Sequence, residues 1–141
     1  MSFRKKKLKL FLCYSHRDRA AVQDLYNRLS HDGFQPWFDR ETLQPGQDWE
    51  HTIQTAILES DVVLVCLSRH FNRQGGYRHT EVRMSLEKAA ALHENQVFVI
   101  PVRLEACRLP AALAHLQRAD LFDETGYKNL VTALRRLWRR R

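Results

Sequence analysis

Cysteine and histidine are the side chains of this sequence that most often bind metals or act as nucleophiles. The three cysteines are Cys13, Cys66 and Cys107, and they share no CxxC spacing. The seven histidines are scattered, without an HExxH motif or a spacing that would complete a zinc site. Cys13 and Cys66 fall inside predicted strands, where a free cysteine behaves as a small buried apolar side chain. We therefore expect neither a disulfide framework nor a metal site.

Sequence motifs for phosphate binding and for hydrolysis are also missing. The chain has no GxGxxG and no Walker A motif, so neither a Rossmann cofactor site nor a nucleoside triphosphatase is supported. It has no GxSxG motif. No acidic cluster suited to a magnesium-dependent phosphate receiver follows the first predicted strand. Function must therefore be judged from the loops of the fold.

The composition is that of one soluble globular domain. The chain has 141 residues, of which 44% are apolar and 28% are charged. Its longest uninterrupted apolar run, residues 62–67, is far shorter than a membrane span. No signal peptide is recognised at the N-terminus. We therefore expect a cytoplasmic protein.

The net charge of +7 is concentrated at the two ends. Ten of the 23 Lys and Arg residues lie within residues 4–9 and 135–141, whereas all 16 acidic residues lie between these runs. Basic ends around an acidic middle make a poor phosphate-binding surface, because duplex binding needs cations along one face. We interpret the ends as solvated flanks, with weak contact to nucleic acid or acidic lipid as the alternative. Neither a specific nucleic-acid partner nor a membrane is expected.

Hydrophobic periodicity alternates between strand and helix along the chain. Strands are predicted at residues 8–14, 35–38, 61–67 and 97–102, with a brief fifth at 120–122. The first strand is apolar on both faces, as a buried parallel strand should be. Pro36 suits the start or the edge of a sheet. Helical spacing predicts four helices, marked by Val22, Leu25, Tyr26 and Leu29, by Trp49, Ile53, Ala56 and Ile57, by Val82, Leu86, Ala89 and Ala90, and by Leu130, Ala133, Leu134, Leu137 and Trp138.

Local signals mark the boundaries of these elements. Asp18 is the predicted N-cap of the first helix, and Asp32-Gly33 ends it. Residues 39–48 and 68–76 are predicted loops, and Pro110 is expected to open a short helix. Strands joined by helices of this length predict right-handed crossovers. The expected fold is a three-layer α/β sandwich, a flavodoxin-like parallel sheet of about five strands with helices on both faces.

Ligands of such a sheet bind at the carboxyl ends of its strands, which selects the loops after Tyr14, Phe38, Leu67 and Val102. These regions contain FLCYS at 11–15, GFQPWFD at 33–39, LQPG at 43–46, LVCLS at 64–68, YRHTE at 77–81 and VIPV at 99–102. With these motifs in this order, the chain resembles a Toll/interleukin-1 receptor (TIR) domain of bacterial type. The expected division is a basic flank at 1–7, the TIR domain at 8–138, and a basic end at 139–141 where a longer protein could have been cut.

The resemblance implies a site for cleavage of NAD⁺. The NAD-cleaving members use a glutamate at the start of a helix, and Glu81 occupies that position. Nicotinamide leaves NAD⁺ as a neutral group, so one carboxylate that stabilises an oxocarbenium-like ribosyl centre suffices. A helix N-terminus favours the ionised carboxylate. Without the resemblance, Glu81 would be an ordinary first-turn carboxylate that helps to cap its helix.

Two positions depart from the family pattern. Cys13 stands where serine is usual, which we expect to be harmless. Tyr77 stands where NAD-cleaving members often have tryptophan. We expect Tyr77 to stack on nicotinamide, and packing at the sheet edge is the alternative.

Other side chains near the strand ends are expected to bind substrate. Serine hydroxyls there could hold ribose or phosphate, although serine is also common in turns. Arg17 could contact the diphosphate or instead pair with Asp18 or Asp24, and Trp49 is either core or a wall of the pocket. The predicted substrate-binding residues are Tyr14, Ser15, Arg17, Leu43, Trp49, Ser68 and Tyr77.

The loop at 39–48 matches the family's BB loop, with Asp39, Pro45 and Gly46 as the expected assembly residues. The family's enzymes become active on self-association, when the BB loop of one copy helps to complete a neighbour's site. The partners implied are NAD⁺, other TIR domains, and a sensor domain or protein absent from this chain.

Three functions follow in order of preference. The first is an NAD⁺ nucleosidase that releases nicotinamide and ADP-ribose or a cyclic product, in bacterial antiphage defence or signalling, with NAD⁺ as substrate and no cofactor. The second is a non-catalytic adaptor that pairs with other TIR domains. The third is a nucleic-acid-associated module that uses the two basic ends.

Overall fold

The part of the chain that the structure describes forms a sheet of five parallel strands. The computed structural model of the protein describes residues 6–37, 45–73, 77–92 and 96–140, and only the backbone of residues 49, 50 and 77–80. The strand order is β2-β1-β3-β4-β5, with every neighbouring pair parallel. This order confirms the predicted flavodoxin-like sheet. The strands are β1 (Lys9–Cys13), β2 (Gln35–Trp37), β3 (Val62–Leu67), β4 (Val99–Arg103) and β5 (Ala119–Asp120).

Helices cover both faces of this sheet. One layer contains α1 (Arg19–His31) and α5 (Gly126–Arg139), and the other contains α2 (Trp49–Glu59) and α4 (Tyr77–Ala90). A short helix that the sequence did not predict, α3 (Arg69–Arg73), lies where a loop was expected. The short helix expected to open at Pro110 is a 3-10 helix at Ala111–Leu113, with Pro110 at its N-cap position. Within the described residues, no helix has both the length and the apolar character needed to cross a bilayer.

The alternation of side chains along β1 builds two separate cores. Leu10, Leu12 and Tyr14 pack with α1 and α5 on one face. Phe11 and Cys13 pack with the α2 and α4 layer on the other face. Because successive side chains of a strand point to opposite faces, a strand in the middle of a covered sheet must be apolar throughout. The two-sided burial predicted for the first strand is therefore confirmed.

The edge strand β2 is short and contains a proline. Pro36 is tolerated there because, among the described residues, β2 pairs only with β1 and forms the edge of the sheet. The Trp37 ring stacks on Phe11, with ring centroids 5.2 Å apart. Phe38, predicted to end this strand, lies outside the described residues.

A charged pair joins the carboxyl ends of β4 and β5. The guanidinium of Arg103 donates to both carboxylate oxygens of Asp120, each at 2.7 Å, and Arg103 also donates to the carbonyl of Cys107 at 2.9 Å. Both charged side chains are 15% exposed. The hydrogen bond from Arg103 lowers the pKa of Asp120 below its ordinary value.

This lowered pKa makes the contribution of Asp120 to stability dependent on pH. The contribution is complete above the pKa of an unfolded aspartate, about 3.9, and is lost as the pH falls through the lower pKa of the folded state. We expect Asp120→Asn to reduce the free energy of unfolding by about 2 kcal/mol at neutral pH. The difference from wild type should narrow below about pH 4. Urea unfolding at several pH values measures this, and a difference that is constant with pH would contradict it.

Candidate functional site

The crevice that this topology creates lies at the carboxyl ends of β1 and β3. The chain passes from β1 to β2 on one side of the sheet, then returns across β1 to place β3 on its other side. The helical connections that follow β1 and β3 lie on opposite faces of the sheet. Ligands of open α/β sheets bind at the point where two neighbouring strands diverge in this way. The residues that follow these strands are Tyr14 and Ser15 after β1, and Ser68 after β3. The helix α4 contributes the carboxylate of Glu81 to the same region.

Glu81 is buried against β1. Its side-chain oxygen Oε2 accepts a hydrogen bond from the Cys13 thiol, with 3.0 Å between Sγ and Oε2. Glu81 is 4% exposed and Cys13 is 1% exposed. An ionisable side chain is rarely buried to this extent without a partner, because removing a carboxylate from water is costly. The site therefore contains a buried carboxylate held at the carboxyl end of β1.

The position of Glu81 differs from the expected first-turn carboxylate. Glu81 is the fifth residue of α4, since the helix begins at Tyr77. Its carboxylate accepts a hydrogen bond from the Cys13 thiol of β1. The helix dipole acts mainly within the first turn, so the dipole argument carries little weight here. Burial and the contact with the thiol define the environment of Glu81 instead.

Side chains on the inner side of α4 make one hydrogen bond within the helix and several contacts with neighbouring elements. The Ser85 hydroxyl donates to the carbonyl of Glu81 at 2.8 Å and is itself buried. The Lys88 ammonium lies over the Phe98 ring, 4.4 Å from its centroid. It also donates to carbonyl groups at the end of α2, including that of Ser60 at 3.0 Å. A cation at a helix C-terminus satisfies carbonyls that have no intrahelical partner. Lys88 thus links α4 to α2 within the helix layer that also contains Glu81.

Ser68 and Asp18 connect the two loops of the crevice. The Ser68 hydroxyl donates to the Asp18 carboxylate and accepts from the backbone N–H of Phe71 at 3.1 Å. Ser68 is fully buried and acts as the N-cap of the short α3. Asp18 lies at the predicted N-cap position of α1, but its side chain does not bond to that helix. Instead, it accepts from a residue 50 positions away.

The Asp18 carboxylate also marks which face of the sheet this contact occupies. Burial raises the pKa of the Cys66 thiol, and the charge of Asp18 raises it further. Cys66 belongs to the core beneath α1 and α5, as does Tyr14. Asp18 immediately precedes α1 and is bonded to Ser68, so both lie on the α1 side of the sheet with Tyr14. Cys13 and its partner Glu81 lie on the α4 side.

The other predicted substrate-binding residues differ in burial and in how far the structure describes them. Ser15 is fully buried, and its carbonyl accepts from the backbone N–H of Asp18 at 2.8 Å. Arg17 is exposed, on the 3-10 helix at His16–Asp18. Tyr77 and Trp49 are the first residues of α4 and α2, and only their backbones are described. Leu43 lies outside the described residues. Each of these substrate-binding roles stays a prediction.

The BB loop is described in part. Asp39 lies outside the described residues, whereas Pro45 and Gly46 form an exposed turn just before α2. Gly46 has a φ of +90°, in the left-handed region that favours glycine, and a Cβ atom there would meet open space. The turn predicted from Pro45-Gly46 is therefore present.

Cys13 is the site residue that sequence reasoning missed. Cys13 departs from the family pattern in a way that the sequence predicts to be harmless, yet it contacts the candidate carboxylate. Two signals could have identified it. Alternation along β1 puts Cys13 on the face away from Tyr14. The helical spacing of Glu81, Ser85 and Lys88 puts all three on the inner side of α4, toward that face.

Grooves elsewhere on the described surface do not include Glu81. A groove of about 450 Å³ lies between β2 and α2, lined in part by Trp37, His51 and Glu59. A second, of about 500 Å³, lies where the basic ends meet. There the indole N–H of Trp138 donates to the carbonyl of Lys6 at 2.9 Å. The two ends are thus neighbours rather than separate flanks, with Glu59 and Asp61 lining the same groove.

Comparison with known proteins identifies the family. The family model for the TIR domain matches residues 10–137 of this chain. The crystal structure of the TIR domain of the Toll-related receptor TRR-2 from Hydra magnipapillata has the same fold, with a TM-score of 0.73 and 21% identity. That match covers 89% of this chain and 97% of the Hydra domain. The chain belongs to the TIR domain family, which confirms the resemblance inferred from the sequence.

Two curated relatives are much longer than this chain. An uncharacterised protein, y4cD, from Sinorhizobium fredii is 28% identical over 99 residues, which are 70% of this chain and 15% of the relative. The NAD(+) hydrolase TcpA from a Theionarchaea archaeon is 30% identical over 63 residues, which are 44% of this chain and 19% of the relative. The chain thus spans less than a fifth of either relative.

The contacts of Ser68 predict a structural effect of its removal. Ser68→Ala would leave the Phe71 N–H without its cap and the Asp18 carboxylate without the hydroxyl donor. We expect a loss of about 2 kcal/mol in the free energy of unfolding. Ser60→Ala is the control, because the Ser60 hydroxyl makes one bond to a carbonyl of its own helix. Urea unfolding of both variants measures the difference, and equal small losses would refute this assignment.

Proposed function

We propose that this TIR domain is an NAD⁺ glycohydrolase in which Glu81 is the catalytic carboxylate. The observation that carries the proposal is the burial of Glu81 at the carboxyl end of β1, the edge of the sheet at which ligands of open α/β sheets bind. A desolvated carboxylate interacts far more strongly with a nearby positive centre than one in water does. A relative that is 30% identical over 63 residues is named an NAD(+) hydrolase, which supports the same chemistry.

The reaction needs little more than this carboxylate. The bond between ribose C1′ and the nicotinamide nitrogen breaks, and its electron pair returns to the pyridine ring, so nicotinamide leaves neutral. The positive charge that develops on the ribosyl centre is stabilised by the Glu81 carboxylate. Water then adds to C1′ and loses a proton, which yields ADP-ribose. Attack by an adenine nitrogen of the same molecule in place of water would yield a cyclic product.

Other side chains complete the proposed site. Tyr77, one turn before Glu81 on α4, is the proposed stacking partner of the nicotinamide ring. Arg17 is exposed beside the crevice and can pair with the diphosphate, as guanidinium groups do. Tyr14, Ser15, Leu43, Trp49 and Ser68 remain the further proposed substrate-binding residues. Ser68 would act through its contact with Asp18, which holds the loops after β1 and β3 together.

Activity is proposed to depend on self-association through the BB loop. Asp39, Pro45 and Gly46 of one copy would help to complete the site of a neighbour, so that clustering controls the enzyme. In a bacterial cell, such an enzyme would serve antiphage defence or signalling, under a sensor outside this chain. The alternative is a non-catalytic adaptor that uses the same loop to pair with other TIR domains. A buried carboxylate favours the enzyme over the adaptor, because pairing between TIR domains uses residues at the surface.

Removal of the negative charge of Glu81 tests the proposed enzymatic activity. We expect wild-type protein to release nicotinamide from NAD⁺ at a rate that rises faster than linearly with protein concentration. Glu81→Gln keeps the size of the side chain and removes its charge, and it should lower the rate at least about 100-fold. Chromatographic measurement of nicotinamide across a concentration series, with a crowding agent, gives both results.

Glu87→Gln is the matched control for this experiment. Glu87 lies on the same helix but is 70% exposed, and it pairs with Arg83 at the surface. Its substitution should leave the rate within about twofold of wild type. If wild-type protein releases no nicotinamide even when light scattering shows assembly, the enzyme is refuted and the adaptor becomes the better explanation.

The glycine turn of the BB loop tests the role of assembly. Gly46→Ala forces a Cβ atom onto a residue with positive φ, at a cost of about 1 kcal/mol, and should reshape the turn. We expect the protein concentration at half-maximal assembly to rise several-fold. The protein concentration at half-maximal nicotinamide release should rise by the same factor. Gly33→Ala is the control. Gly33 also has a positive φ, +96°, and open space around an added Cβ atom, but it follows α1 and lies outside the BB loop. Equal shifts in the two variants would argue against this loop as the interface.

A further inference from the structure

The contact between Cys13 and Glu81 joins two side chains that are 68 positions apart in sequence. Cys13 is the last residue of β1, and its Sγ lies 3.0 Å from Oε2 of Glu81. Both side chains are almost completely buried, so water does not compete for the carboxylate at this contact. A contact of this kind, inside a crevice and between two elements, restricts the rotation of the carboxylate more than a surface contact would.

The proton of this contact belongs to the sulfur atom. A thiolate and a carboxylate at 3.0 Å would repel each other strongly in a buried environment. An ionised carboxylate offers only acceptors, so the neutral thiol must be the donor. The S–H group therefore donates to Oε2 of Glu81.

We infer that Cys13 is a positioning residue that holds the Glu81 carboxylate in its orientation through the S–H donor. The inference rests on the proposed function of Glu81. In this arrangement the strand fixes the thiol, the thiol fixes one oxygen of the carboxylate, and the carboxylate faces the ribosyl centre in a set direction. A catalytic group held in one orientation stabilises the transition state without reorganising during the reaction.

Cys66 provides a matched comparison within the same sheet. It is also a free, fully buried cysteine on a central strand. However, it lies on the face toward α1, where its thiol contacts the carbonyl of Leu64 at 3.8 Å. Removal of either sulfur leaves a small cavity of similar size in the core, and only removal of the Cys13 sulfur takes a donor from Glu81.

Kinetics of three variants separate positioning from packing. We expect Cys13→Ala to lower kcat for nicotinamide release at least about tenfold while KM changes less than about twofold, because a charged acceptor loses a donor. Cys13→Ser restores a donor and should recover most of the rate. Cys66→Ala should leave kcat within about twofold of wild type. Equal losses in Cys13→Ala and Cys66→Ala, or no recovery in Cys13→Ser, would overturn the inference.

Infrared spectroscopy tests the contact without any activity. In a Cys66→Ala, Cys107→Ala background, Cys13 is the single thiol, and its S–H stretching band reports on its acceptor. We expect that band to move to higher frequency when Glu81→Gln is added, because an amide oxygen is a weaker acceptor than a carboxylate. An unchanged band would overturn the inference. If wild-type protein releases no nicotinamide, the proposed function fails, and the band alone then decides whether Cys13 holds Glu81.

Discussion

The two-sided burial of β1 is the constraint on which the rest of the structure depends. This strand has a neighbour on each side and a helix layer on each face, so each of its side chains belongs to one of two cores. A shift of one residue in its register would exchange the two sets of side chains. Cys13 would then leave the α4 side, and its contact with Glu81 would be lost. The order of residues in one strand thus decides where the candidate carboxylate finds a donor.

The sequence predicted the fold well because the relevant signals are local. Apolar runs identified the buried strands, helical spacing identified four of the five α-helices, and Pro36 indicated the edge strand. The short α3 was missed, since five residues with one buried apolar side chain, Phe71, show no periodicity. The predicted end of β2 at Phe38 lies outside the described residues. Family motifs then supplied the position of Glu81, which periodicity alone would not have distinguished from other acidic residues.

The contacts within the candidate site were beyond prediction because they join distant residues. Asp18 carries the sequence signal of an N-cap, and it does occupy that position. Its carboxylate nevertheless bonds to Ser68, 50 residues away, since the two strand ends that precede these residues are neighbours in the sheet. The contact between Cys13 and Glu81 has the same origin. Local propensity places a residue on an element, whereas the packing of elements decides its partner.

A buried glutamate on α4 is in conflict with the stability of the fold. Val82, Leu86 and Ala89 pack against the sheet from the same helix, and an apolar residue at position 81 would continue that surface. A carboxylate there loses its hydration, and hydrogen bonds such as the one from Cys13 offset only part of the cost. Residues that lower stability without a structural benefit are concentrated at functional sites. Pairing of TIR domains uses outer surfaces, so the burial of Glu81 supports the proposed enzyme over the proposed adaptor.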